Sequence, residues 1–163
     1  MKQTAIKLNE MKLVGITCRT NNNLEMDPST AQIGATLQAY FGENLPATLV
    51  NRKNPGTTYC VYTDYESDVT GDYTYFVGEE ITSLDTIPNG LVALTIPAQH
   101  YTKFTTKAGS MPMICISAWQ KIWAMSPREV GGERNYVADF EIYDNRALDP
   151  QNTILDIYIG LKK

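Results

Sequence analysis

The chain has 163 residues, 43% hydrophobic and 20% charged, which is the composition of an ordinary globular protein long enough to bury a substantial core in one domain. Its net charge of -4, with Lys and Arg scattered along it, excludes a nucleic-acid surface, because phosphate binding needs clustered basic residues. No apolar run approaches the ~18 residues of a membrane span. Cys18, Cys60 and Cys115 lie far apart without CxxC spacing, and with no leader-like N-terminus they point to free thiols in a reducing cytoplasm.

Leu13 to Thr17 is a short β-branched run, expected as a strand. Asp27-Pro28-Ser29-Thr30 then offers a cap and a first turn for a helix whose apolar stripe is Ile33, Leu37, Tyr40 and Phe41, ended by Gly42 and Leu45-Pro46. Tyr59 to Tyr65 and Tyr73 to Thr82 follow as two strands joined around Thr70-Gly71-Asp72. After Pro88-Asn89-Gly90 comes one long strand, Leu91 to Phe104. Ser110-Met111-Pro112 opens a second helix with the stripe Ile114, Ala118, Ile122 and Met125. Tyr136 to Tyr143 and Ile154 to Leu161 close the chain as strands.

Both halves therefore read as strand-helix-strand-strand, with Tyr65-Glu66 echoed in Tyr143-Asp144 and Phe76-Val77-Gly78 in Tyr158-Ile159-Gly160. The expected fold is α+β: a single domain over 1–163, made of a duplicated module (about 7–84 and 90–163) with pseudo-twofold symmetry. Antiparallel sheets and a central groove between the modules follow, and binding sites favour such clefts.

The most informative side chain is Glu141, a carboxylate placed mid-strand among aromatics in Tyr136-Val137-Ala138-Asp139-Phe140-Glu141-Ile142-Tyr143. Losing water costs a carboxylate free energy, so either the strand face is wet or a cation arrives as a ligand. Alternation puts Phe140 and Ile142 toward the core and Glu141 with Tyr143 on the opposite face. Cys115, Trp119 and Trp123 recur every four residues beside the second helix's core stripe. They either extend the core or wall a pocket whose aromatic faces attract a cation by roughly 0.5–2 kcal/mol. Asp64, Glu66 and Asp68 alternate without a His or Cys partner and read as a solvated turn, so no metal is expected. No phosphate-binding loop or dinucleotide fingerprint is present, and no cofactor is expected.

The segments Tyr59-Cys60-Val61-Tyr62-Thr63-Asp64-Tyr65-Glu66-Ser67-Asp68, Gly71-Asp72-Tyr73-Thr74-Tyr75-Phe76-Val77-Gly78, Trp119-Gln120-Lys121-Ile122-Trp123 and Asp139-Phe140-Glu141-Ile142-Tyr143 resemble the GyrI-like effector-binding family. That family also supplies the effector domains of some AraC-type and MerR-type regulators. The resemblance runs from about Leu13 to Leu161. It implies a ligand groove between two modules, and it implies that the acidic residue matching Glu141 contacts hydrophobic cations within an aromatic lining. Regulators of the family carry a helix-turn-helix segment, and the residues before Leu13 do not hold one, so direct DNA binding is not expected.

The leading expectation is a stand-alone binding protein for hydrophobic organic cations. The cation pairs with Glu141, while Trp119, Trp123, Tyr65, Tyr101 and Tyr143 enclose the apolar body. A small-molecule hydrolase using Glu141 and Tyr143 as base and proton donor is the alternative. A protein-interaction module of the gyrase-inhibitor kind is the third reading. The sequence specifies neither a protein partner nor the oligomeric state.

Overall fold

The computed structural model describes residues 1–163. Eight strands form in chain order: β1 (Lys2–Leu8), β2 (Met11–Thr20), β3 (Thr58–Thr63), β4 (Tyr73–Glu80), β5 (Val92–Ile96), β6 (Gln99–Thr105), β7 (Ala138–Tyr143) and β8 (Asp156–Leu161). All pair antiparallel in a single sheet of order β1-β6-β8-β7-β3-β4-β2-β5. The order reads the same from either end once β1–β4 are matched with β5–β8, with β3 and β7 meeting at its centre; each half therefore has four strands where three were expected, and the first begins at Lys2, ahead of the expected boundary near residue 7. Each module's leading strand is exchanged: β1 pairs with β6 of the second module, and β5 with β2 of the first.

The expected long strand over Leu91 to Phe104 is instead two strands, broken at Pro97-Ala98 where a proline cannot donate to a ladder. The leading strand β1 carries little apolar pattern and owes its place to pairing along β6. Although β1 and β2 are joined only by Asn9-Glu10, β1 is the first strand of the order and β2 the seventh of eight, so the sheet curls to bring them together. Its inner face is one apolar cluster that includes Leu13, Val61, Phe76, Ile96, Tyr101, Phe140 and Tyr158. Gly15 and Gly78 face each other across β2 and β4; a Cβ at Gly15 would meet the Val77 carbonyl oxygen at 1.9 Å. Only glycine permits that close approach.

Two helices pack on the outer face: α2 (Ile33–Gly42) over β2 and β4, and α3 (Met113–Ala124) over β6 and β8. Short turns α1 (Asn22–Glu25) and α4 (Pro127–Val130) accompany them. Asp27 does not cap α2 as expected, because its carboxylate closes a local turn on the Ser29 amide and hydroxyl. Glu25 takes that role, accepting from the Gln32 and Ile33 amides. No helix is long and apolar enough to cross a membrane.

Candidate functional site

Strand alternation sends Ala138, Phe140 and Ile142 of β7 into the inner cluster and leaves Asp139, Glu141 and Tyr143 on the helix-covered face. Glu141 is 2% exposed. Its Oε1 accepts from Trp119 Nε1 at 2.6 Å, Tyr62 Oη at 2.7 Å and, more weakly, Cys115 Sγ at 3.4 Å. Its Oε2 accepts from Tyr143 Oη at 2.6 Å. All four donors are neutral. Burial foremost, and the Glu141 charge next, push the Tyr62 and Tyr143 phenols and the Cys115 thiol well above their ordinary values, so each keeps its proton and its donor role. No Lys, Arg or His pairs with Glu141.

A cavity of about 350 Å³ opens over this carboxylate between α2 and α3. Tyr62 of β3, Tyr73 and Tyr75 of β4, and Tyr143 of β7 form its floor. Cys115, Ile116, Trp119 and Trp123 of α3 form one wall, and Ile33, Gly34 and Leu37 of α2 the other. The rings support each other: Tyr62 lies edge-on to Trp119 at 5.1 Å and to Tyr75 at 5.4 Å, and Trp123 follows Trp119 at 6.2 Å. Trp123 is 45% exposed and stands at the rim. Edge-on and tilted packing fixes the walls without filling the space.

Two residues away, Asp139 is fully buried and is handled differently. It accepts from Arg134 Nη2 at 2.6 Å, Tyr65 Oη at 2.6 Å and the Gly160 amide at 2.8 Å. Arg134 also lies 4.5 Å over the Tyr136 ring. Gly160 admits this arrangement because a Cβ there would come within 2.8 Å of Asn135, Gln99 and the Ala138 carbonyl. One buried carboxylate on β7 thus has its cation within the protein. The other has a cavity in front of it.

Five of the six residues singled out from sequence line this cavity: Glu141, Trp119, Trp123, Tyr143 and Tyr65. Tyr65 does so because Asp64, at φ 48°, ends the alternation of β3 and turns the chain toward the outer face. Tyr101 does not. It lies on the inner face of β6, 1% exposed and edge-on to Phe140 at 5.3 Å and Tyr158 at 5.8 Å, with the sheet between it and the cavity. The break at Pro97-Ala98 resets the strand's register, which a single long strand conceals. Sequence reading missed Tyr62, Tyr73, Tyr75, Glu25 and Arg134. Tyr62 shares a strand face with Cys60, but only the pairing of Cys60 with Glu141 brings that face beside the carboxylate.

The profile of the Cass2 family, described as integron-associated effector binding protein, matches residues 5–161. YobU of Bacillus subtilis (strain 168), which bears a transcriptional regulator's name, is 30% identical over 152 residues, covering 93% of this chain and 92% of that protein. Among solved structures, an integron cassette protein from the mobile metagenome of Vibrio cholerae superposes with a TM-score of 0.78 at 27% identity, over 98% of this chain and 95% of that one. SAV2435, solved bound to tetraphenylphosphonium, gives a TM-score of 0.77 over 99% of this chain and 94% of that one; at 18% identity the likeness is of fold.

Proposed function

We propose, from the premise that this chain belongs to the Cass2 family of integron-associated effector binding proteins with its GyrI-like fold, that it binds hydrophobic organic cations in the cavity between α2 and α3. One observation carries the reading: Glu141 is a buried carboxylate with four neutral donors and no cation of the protein's own. Desolvating a charge costs several kcal/mol, and neutral donors offset only part of it. A lipophilic cation entering the cavity supplies the missing charge, buries its own apolar surface against the rings, and gains from their negative faces. The fold neighbour solved with tetraphenylphosphonium supports this choice of ligand class.

Within this reading each side chain has a task. Glu141 provides the field. Tyr62, Trp119 and Tyr143 hold its oxygens in place and spare the site reorganisation when ligand arrives. Trp123 and Ile116 at the rim cover the ligand's apolar body. DNA contact is no part of the proposal, since the Lys and Arg residues form no cluster in the sequence.

The test is tryptophan fluorescence during titration with tetraphenylphosphonium and with neutral triphenylphosphine oxide, on wild type and Glu141→Gln. Trp119 touches Glu141, so occupancy is expected to quench saturably. Glu141→Gln should weaken the cation at least tenfold and leave the neutral compound within twofold. Equal losses for both compounds reject the reading. Mass spectrometry of the ligand after incubation separates a binder from a hydrolase.

A further inference from the structure

The cavity has a second carboxylate in its lining. Glu25, the last residue of α1, reaches toward the start of α2, accepting from the Thr20 hydroxyl at 2.5 Å, the Gln32 amide at 2.9 Å and the Ile33 amide at 3.0 Å. Like Glu141, it has no Lys, Arg or His partner. Its donors, like those of Glu141, are neutral. An ionised carboxylate has about four acceptor positions, and these three bonds leave one open. The start of α2 offers only roughly half an elementary charge, so most of a unit negative charge is left for another partner.

The two carboxylates enter the same cavity from different elements. Glu141 rises from the central strand β7, and Glu25 sits where β2 gives way to the helices. The aromatic floor runs from one toward the other. Tyr62 donates to Glu141, and the Tyr73 ring lies 5.5 Å from that of Tyr62. Tyr73 donates in turn to Asn22, one turn before Glu25 on α1. Burial, and then the charges of Glu25 and Glu141 among others, push the Tyr73 phenol up, so both fields reach it. The one cation in the lining, Arg134, is committed to Asp139.

We infer that the cavity is built for a ligand with two positive groups joined by an apolar spacer, one group against Glu141 and the other against Glu25, with the spacer lying along Tyr62 and Tyr73. The inference rests on the cation-binding reading of the site and specifies the ligand class. A ligand with a single positive group leaves the Glu25 charge unanswered. A ligand with two answers both, and its spacer covers the ring faces between them. Glu25 is then a specificity residue as well as a cap for α2.

The experiment measures calorimetric affinities for three compounds: decamethonium, decyltrimethylammonium, and the decamethonium analogue in which one ammonium nitrogen is replaced by carbon. Wild type is expected to bind decamethonium at least tenfold more tightly than its carbon analogue, although the analogue is the more hydrophobic. Glu25→Gln keeps a carbonyl oxygen for one of the two α2 amides; it should bring that ratio to about two, the statistical factor for a symmetric ligand. A wild-type ratio near two overturns the inference without recourse to any variant. A ratio that Glu25→Gln does not alter overturns it as well. If decyltrimethylammonium is insensitive to Glu141→Gln, the underlying cation-binding reading has failed. If it depends on Glu141 while the ratio ignores Glu25, only the two-charge inference has failed.

Discussion

Tyr143 Oη is the one protein donor on Glu141 Oε2, at 2.6 Å, whereas Oε1 takes three. The carboxylate is therefore bound unevenly, and the Oε2 side is where a partner has most to offer. Tyr143→Phe should destabilise the unliganded protein by about 1–3 kcal/mol, the usual consequence of removing one partner of a buried hydrogen bond. A quaternary cation replaces the lost partner, so saturating ligand should raise the melting temperature more in Tyr143→Phe than in wild type. An equal or smaller ligand-induced rise would count against a cation acting through this oxygen. Differential scanning fluorimetry reads both quantities.

The Arg134–Asp139 pair serves the fold, and its loss should show in stability first. Arg134→Met leaves Asp139 buried with only Tyr65 and the Gly160 amide as partners. A loss of about 3–5 kcal/mol is expected, as for other buried pairs broken on one side. Adding Asp139→Asn should restore part of it, and urea denaturation of the single and double variants gives the comparison. Additive losses would mean that the pair is not coupled.

Binding of a permanently charged ligand should be flat from pH 7 to about pH 10. Tyr62, Tyr143 and Cys115 are all raised by burial first and by Glu141 next, so none ionises in that interval despite ordinary values near 10 and 9. A tightening near pH 9 would reveal a thiolate at Cys115 adding its charge to the site. Titration calorimetry with tetraphenylphosphonium at several pH values is sufficient.

Glu79 lies away from the cavity, 1% exposed, with Oε1 unpartnered and Oε2 3.4 Å from Arg52. Burial raises its carboxyl above the ordinary value near 4.5, with Arg52 opposing. The folded state thus holds this proton more tightly than the unfolded state does. Its contribution to stability is fully present below the unfolded value and is lost as pH rises through the folded one. Glu79→Gln should therefore melt higher than wild type at pH 7, with the difference shrinking or reversing at pH 4. A difference that does not change with pH would assign the effect to packing.

The strand carrying Glu141 was legible because its alternation is strict: Phe140 and Ile142 face the inner cluster, and Glu141 and Tyr143 the cavity. The Cys115-Trp119-Trp123 spacing placed one helix wall for the same reason. What escaped was set by pairing rather than by local pattern. Tyr62 neighbours Glu141 only because β3 lies beside β7, and one strand's periodicity does not say which strand comes next. Tyr101 was misplaced because the register of β6 depends on where Pro97 interrupts the chain. Glu25 was overlooked in favour of Asp27-Pro28, a better cap by type, whose carboxylate is satisfied by Ser29. β1 carries almost no signal, since a partner strand and not its own burial makes it regular.

The exchange of β1 and β5 has a consequence for how this molecule comes apart. A cut between the two modules would take from each the strand that borders the other, exposing the backbone of β6 on one side and β2 on the other. The carboxylate and the tyrosine that steadies it would also part company, Glu141 leaving with one piece and Tyr62 with the other. Neither fragment would be a smaller version of the whole. With the leading strands crossed over, the two halves are not divisible, and melting should proceed as one cooperative transition with no half-folded species.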